Sequence, residues 1–160
     1  MKRFRERLRD LAEAIGILAI IASLLFLALE IQQSNRIAIA STEIGIRSGY
    51  SEFNRGLHSS SGLAELMARA IESEVEWSPS EELRVLMVIN DLLNVWLSVE
   101  TACDNGLAQD ATCEELHDDI RTFIAYFPGT RPVWHFILES YPSLANTEVR
   151  TTIRETLASS

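Results

Sequence analysis

The chain has 160 residues, 47% of them hydrophobic, and a formal net charge of -9 at pH 7. The charge is divided unevenly, because residues 1–36 contain six basic and four acidic side chains, whereas residues 37–160 contain eight basic and nineteen acidic. A body this acidic repels phosphate backbones, which argues against nucleic acid as a partner.

The first ten residues predict a basic amphipathic tail. Apolar side chains recur at helical spacing from Phe4 through Leu8 to Leu11, with arginines on the other faces. The basic residues that precede the apolar segment are Lys2, Arg3, Arg5, Arg7 and Arg9. We expect residues 1–10 to lie in the cytoplasm, along anionic lipid headgroups.

Residues 11–31 predict a transmembrane helix. The stretch from Ala14 to Leu29 contains no charged side chain. At about 1.5 Å per residue, residues 11–31 cover about 31 Å, which matches a hydrocarbon core about 30 Å thick. Glu13 and Glu30 then fall near the two interfaces, where a carboxylate can reach water.

Two alternatives compete with this interpretation. A buried core helix of this composition would need protein on every side, which the remaining chain would struggle to supply. A cleaved signal peptide would use the small-x-small sequence Ala38-Ile39-Ala40, but that site lies eleven residues beyond the apolar run. An uncleaved anchor is therefore favoured.

The flanking charges predict the orientation of the anchor. Five basic residues precede the apolar run, and the nearest ones after it are Arg36 and Arg47. Positive flanks are retained in the cytoplasm, so we expect a cytoplasmic amino terminus and an extracytoplasmic carboxy-terminal domain. The predicted location is the inner (plasma) membrane of a bacterium, crossed once.

Two sets of residues near the membrane are candidates for contact with a partner. A stripe of small side chains along the anchor consists of Ala12, Gly16, Ala19 and Ser23. Such a stripe lets two helices approach closely in lipid, although it also fits a lipid-facing surface. Gln32, Asn35 and Arg36 share a face outside the membrane, where they either hydrogen-bond across a dimer or bind headgroups. We expect membrane lipid, and a second copy or another envelope protein, as partners.

Residues 32–160 predict an acidic all-α domain, a bundle of about five helices into which the transmembrane helix continues. Ser59-Ser60-Ser61-Gly62 would end the continuing helix. Ser78-Pro79-Ser80-Glu81 has the serine, proline and glutamate of a capping box, so a long helix should begin there and stop at Gly106. Its predicted core face comprises Leu83, Leu86, Met87, Asn90, Leu93, Leu97 and Thr101.

Shorter helices are predicted in the last third of the chain. Thr112-Cys113-Glu114-Glu115 predicts a second capping box and the start of a helix. Pro128-Gly129 ends that helix and separates it from a short helical segment. Asn146 or Thr147 would cap the last helix. One all-α domain on one anchor is the simplest architecture.

Two cysteines flank the predicted turn after the long helix. An antiparallel hairpin would bring Cys103 and Cys113 into bonding range, and two buried free thiols are the alternative. In an oxidising compartment a disulfide would close a loop of about eleven residues and stabilise the domain by about 2–3 kcal/mol.

Residues suited to catalysis or metal binding are sparse. Glu114 and His117 have the Glu-x-x-His spacing of di-iron bundles, which makes them weak metal-ligand candidates, but the second pair and further glutamates of such a site are not evident. The sequence contains no nucleophile elbow, phosphate-binding glycine loop, zinc spacing or nucleotide fingerprint. We therefore predict no catalytic residue and no cofactor, and enzymatic activity is the weaker hypothesis.

Aromatic side chains are a further candidate set. Trp77, Trp96 and Trp134, together with Tyr126 and Tyr141, either line a pocket or pack the core of a small domain. Core packing is favoured, because aromatic side chains dominate such cores.

The segment leaving the apolar helix, Leu29-Glu30-Ile31-Gln32-Gln33-Ser34-Asn35-Arg36, precedes an acidic helical region that contains Pro128-Gly129 and Trp134. In these features the chain resembles a large group of uncharacterised bacterial membrane-anchored helical proteins. The resemblance implies a membrane-anchored helical fold, and it implies no chemistry because the group has no assigned activity.

Two functional hypotheses follow from the sequence. The first is a non-enzymatic interaction or structural module of the bacterial envelope, which uses its helical domain to meet another envelope protein. The second is a ligand-binding domain or a metal-dependent accessory enzyme whose pocket lies between bundle helices.

Overall fold

The computed structural model describes the backbone of residues 2–159 and the side chains of residues 11, 13–142 and 144–159. Within this part the chain forms six α-helices and no strand, which confirms the all-α fold class. The helices are α1 (Lys2–Ser59), α2 (Ser61–Arg69), α3 (Pro79–Asp104), α4 (Asp110–Tyr126), α5 (Arg131–Ser140) and α6 (Glu148–Ser159). The chain divides into two units, Met1–Ala38 and Ile39–Ser160.

The first unit consists of the amino-terminal part of α1, and its large apolar side chains are exposed. Their exposed fractions run from 48% at Ile21 to 70% at Phe26. By length and composition, Glu13–Ser59 and α3 both qualify as candidate membrane spans, with mean hydropathies of 2.6 and 1.3. In the described residues 0% of the apolar window of α1 is buried, against 50% of the α3 window.

The second unit is a helical bundle built around α3. This helix contacts α2, α4, α5 and α6, and α4 also packs on α6. The rings of Trp96 and Trp134 stack with their centroids 5.6 Å apart, and Phe123 meets both edge-on. The innermost aliphatic side chains are Val85, Ile89, Leu93, Val99, Ile120, Ile124, Ile137, Val149 and Ile153.

The predicted ends of α1 and α3 are confirmed. The helix that begins in the first unit ends at Ser59, inside the predicted serine-rich break. α3 begins at Pro79 after Ser78, whose backbone N–H donates to the Glu81 carboxylate at 2.9 Å, as a capping box requires. After α3, Gly106 adopts a φ of 64°, the left-handed conformation that favours glycine at a helix end.

The predicted core face of α3 is partly wrong. Leu83 and Met87 are 53% and 59% exposed, whereas Val85, Ile89 and Leu92 are buried. The reason is that α3 is apolar on more than one face, so its periodicity does not define a single direction toward the core. A stripe of apolar side chains is left on the surface of the bundle.

The predicted start of α4 is also wrong. The helix begins at Asp110, and Thr112 lies inside its first turn. The Thr112 hydroxyl donates to Glu43 of α1 at 2.9 Å, and the backbone N–H of Gln109 donates to the same carboxylate at 2.8 Å. Glu43 is 8% exposed. A buried acidic side chain from a helix distant in sequence therefore accepts the hydrogen bonds at the start of α4, in place of a local cap.

The last helix, α6, begins in the same way. Of the two predicted caps the structure uses Thr147, whose hydroxyl oxygen accepts the backbone N–H of Arg150 at 3.1 Å. The buried carboxylate of Glu100, from α3, accepts the N–H groups of Glu148 and Val149 at 2.6 and 3.2 Å. Both helix starts are therefore completed by glutamates from earlier helices, where negative charge also suits the helix dipole.

Candidate functional site

The membrane-packing stripe and the juxtamembrane polar set are exposed where they are described. Gly16, Ala19 and Ser23 are open to the surroundings, and the Ser23 hydroxyl donates to the Ala19 carbonyl at 2.8 Å. The side chain of Ala12, like those of the predicted basic tail 1–10, lies outside the described residues. Gln32, Asn35 and Arg36, the juxtamembrane polar set, are exposed as well. Contact of these residues with a second copy, with another protein or with lipid stays a prediction.

The two weak metal-ligand candidates, Glu114 and His117, differ in their surroundings. His117 shares a hydrogen bond between Nδ1 and the Thr152 hydroxyl at 2.8 Å, and its Nε2 lies 3.6 Å from the Glu148 carboxylate. Glu114 is exposed, and no group of three His, Cys, Asp or Glu side chains in the described part of the chain is arranged to hold a metal. His117 instead links α4 to α6.

Cys103 and Cys113 form a disulfide, with their Cα atoms 5.8 Å apart. The bond joins the end of α3 to the first turn of α4. It therefore fixes the same turn whose backbone is held by Glu43.

The three tryptophans pack against other residues of the bundle. Trp96 and Trp134 are 1% and 0% exposed, so neither opens to solvent. Trp77 donates its indole N–H to the Gly129 carbonyl at 3.2 Å, and the Arg69 guanidinium lies 5.0 Å from its ring centroid. A Cβ at Gly129 would lie 2.7 Å from the Glu72 carbonyl oxygen, so this glycine permits the close approach of two backbones.

A stripe of apolar side chains on α3 and α5 faces outward, and we call it the Leu83 face. Its exposed members are Leu83, Met87 and Phe136. Leu83 and Phe136 also line a groove of about 240 Å³ whose wall includes Leu86 and Val133. An exposed apolar surface of this kind is typical of a contact site.

A second groove, of about 320 Å³, is bounded by residues 39–59 of α1, by α3 and by α4, and we call it the aromatic groove. Its lining includes Tyr50, Phe53, Asp119, Thr122, Tyr126 and Phe127. The Tyr50 hydroxyl donates to Oδ2 of Asp119 at 3.0 Å. Burial, followed by the charge of Asp119, raises the pKa of Tyr50, so the phenol keeps its proton and remains a donor.

The aromatic groove was only partly visible in the sequence. Tyr126 and Trp96 belonged to the aromatic set considered for a pocket, and both line the groove. No pattern in the sequence related Tyr50 to Asp119. The two residues are 69 positions apart, and neither belongs to a motif that relates them. Their pairing follows from the packing of α1 against α4.

Comparison with known protein families, with curated proteins and with solved structures finds no match to this chain.

Proposed function

We propose that this protein is a single-pass membrane-anchored module that acts by non-enzymatic contact with another protein of the bacterial envelope. The observation that carries the proposal is that none of the large apolar side chains along residues 13–31 is buried, their exposed fractions running from 48% to 70%. The resemblance to membrane-anchored helical proteins supports the proposal, and so does the presence of an apolar helix long enough to cross a membrane.

The energetics of insertion support the anchor. Ten of the 16 residues from Ala14 to Leu29 are Leu, Ile or Phe. Each favours the centre of a membrane by about 0.3–0.6 kcal/mol, so together they contribute about 3–6 kcal/mol. In the described structure none of these side chains is buried.

The disulfide supports an extracytoplasmic bundle. Disulfides persist in oxidising compartments and are rare in the cytoplasm of bacteria that grow at moderate temperature. The Cys103–Cys113 bond therefore agrees with the orientation proposed from the five basic residues that precede the anchor.

The Leu83 face supports contact with a partner. Leu83, Met87 and Phe136 are each more than half exposed, and the groove beside them is lined mainly by apolar side chains. Covering such a surface with another protein removes apolar area from water, which is the main favourable term in association. The aromatic groove supports the alternative, a ligand-binding module.

Membrane fractionation and a carboxy-terminal reporter test the anchor. We expect the full chain to stay in the membrane fraction after alkaline carbonate extraction and to be released by detergent. We also expect alkaline phosphatase fused to its carboxy terminus to be active, as the enzyme is outside the cytoplasm. Ile20→Asp with Leu24→Asp should release the protein from the membrane, since each carboxylate costs about 2.5–3.5 kcal/mol at the centre of a span. Ile20→Leu with Leu24→Ile is the matched control. An inactive fusion, together with thiols that alkylate without a reductant, would overturn the orientation.

Site-specific crosslinking in intact cells tests the interaction. A photoreactive residue replacing Met87 should give a crosslinked protein adduct, and the same residue replacing exposed Glu155 should not. Leu83→Lys should abolish the adduct, because it places a charge in the apolar contact. Equal adducts from positions 87 and 155 would reject the Leu83 face as the contact surface.

A further inference from the structure

We infer that the aromatic groove binds an organic ammonium cation, through the ring faces of Tyr126 and Phe127 and the carboxylate of Asp119. The groove lies wholly within the second unit, so the inference does not depend on the anchor or on the Leu83 face.

The charge of the groove selects for a cation. Among the described residues that line it, Asp119 is the one charged side chain. The surrounding domain is acidic as well, with eight basic and nineteen acidic residues from position 37 onward. A cleft of one sign concentrates ligands of the opposite sign, whereas an anion would meet repulsion both from Asp119 and from the domain.

Asp119 is oriented and still available. Its Oδ2 accepts the Tyr50 hydroxyl, while its Oδ1 accepts no hydrogen bond from any described residue. The Tyr50 phenol stays protonated at neutral pH, so it holds the carboxylate in place without adding a second negative charge. A ligand therefore meets a carboxylate with a fixed position and one unused oxygen.

The aromatic rings form a supported surface. Tyr126, which is 58% exposed, packs edge-on against Phe127 with centroids 4.9 Å apart. Phe127 lies 4.8 Å from Phe123, and Phe123 rests on buried Trp96. The exposed rings are thus tied to the core of the bundle, which limits the ordering needed on binding. Ring faces attract ammonium groups through their quadrupoles, and aromatic sites of this kind recognise quaternary ammonium ligands.

The size of the groove limits the ligand. Its volume of about 320 Å³ lies at the lower end of ligand pockets. It accommodates a small headgroup such as trimethylammonium, together with a hydroxyl that meets the polar side chains of Asn54 and Thr122.

Calorimetric titration of the full chain in a maltoside detergent tests the inference. The probes are choline and 3,3-dimethylbutan-1-ol, its neutral isostere. We expect saturable binding of choline and affinity at least tenfold lower for the neutral compound. A neutral compound that binds as well as choline would overturn the inference.

Two variants locate the site. Asp119→Asn should weaken choline binding at least tenfold, whereas Asp118→Asn should leave it unchanged, because Asp118 pairs with Arg121 and does not line the groove. Tyr126→Leu changes an exposed ring and leaves the Tyr50 hydrogen bond intact, and we expect a threefold or greater loss. If Asp119→Asn fails to fold, Tyr126→Leu tests the site by itself. Unchanged choline binding by Tyr126→Leu would contradict the proposal.

The ammonium group has two sources, a small quaternary ammonium compound and a lysine side chain of a protein. Nα-acetyl-lysine methylamide and its norleucine counterpart distinguish them in the same titration. Preference for choline over the lysine compound assigns the groove to a small molecule, and the reverse assigns it to a protein side chain. Binding of neither cation would contradict the inference.

Discussion

The apolar part of α1 and the central helix α3 are both long and apolar enough to cross a membrane, yet they are accommodated in opposite ways. In the described residues none of the apolar window of α1 is buried, whereas half of the α3 window is. The difference lies in the polar residues that each helix carries. The run from Ala14 to Leu29 has no charged residue, while α3 contains Asp91 and Glu100. Hydropathy alone therefore does not distinguish a helix that is half buried in a bundle from one whose apolar side chains are exposed.

Contacts at both ends distinguish α3 further. Glu81 caps its start and Cys103 joins its end to α4, while Glu100 reaches the start of α6. The described part of α1 between residues 13 and 31 makes no contact of this kind. Substitutions in the two helices should therefore have different effects on the free energy of unfolding of the bundle.

The largest difference should come from one substitution made in both helices. Leu93 of α3 is 2% exposed, so Leu93→Ala should lower the free energy of unfolding of the bundle by about 2–5 kcal/mol. Leu24 is 60% exposed, and Leu24→Ala should leave that free energy unchanged in detergent. Chemical denaturation followed by circular dichroism measures both. An equal loss in the two variants would mean that the segment of α1 around Leu24 belongs to the packed bundle.

A smaller difference should come from two glycines. Gly129→Ala forces a Cβ against backbone atoms of residues 70 and 72, and we expect a loss of about 1–3 kcal/mol. In α1 a Cβ at Gly45 would meet no described atom within 4 Å, so Gly45→Ala should stabilise the helix by up to about 1 kcal/mol. Thermal unfolding should shift in opposite directions for the two variants. A destabilising Gly45→Ala would show that another element packs at this position.

The smallest effect should come from the cap of α3. The backbone N–H and hydroxyl of Ser78, followed by Arg69, lower the pKa of Glu81 from 4.5 to about 2. Because the folded-state pKa is the lower one, this contribution to stability is complete above pH 4.5 and is lost as the pH falls toward 2. The stability difference between the wild type and Glu81→Gln should therefore shrink over that range. Glu82→Gln is the control, and a difference that does not change with pH would reject the proposed cap.

Sequence reasoning succeeded where structure is set by neighbouring residues. The break after Ser59 and the starts and stops given by Ser78 and Gly106 depend on a few adjacent side chains, and all three were predicted. The all-α class followed from periodicity extended over the whole chain.

The same reasoning failed where a helix is apolar on several faces or is capped from a distance. For α3 the periodicity predicted Leu83 and Met87 inside, but the bundle buries a neighbouring face. For α4 the local signal at Thr112 was misleading, because the cap comes from Glu43. The aromatic groove was not predicted for the same reason, since Tyr50 and Asp119 become neighbours only when two helices that are distant in sequence pack together.

The glutamates that complete α4 and α6 also constrain how the bundle folds. Glu43 lies 66 residues before Gln109, and Glu100 lies 48 residues before Glu148. Closing such loops costs entropy before the hydrogen bond forms, so the first turns of both helices should be completed late in folding. In each case the carboxylate leaves the ribosome before the helix that needs it. The bundle can therefore assemble in the order of its synthesis, and a fragment beginning at residue 105 lacks the groups that complete its first and last helices.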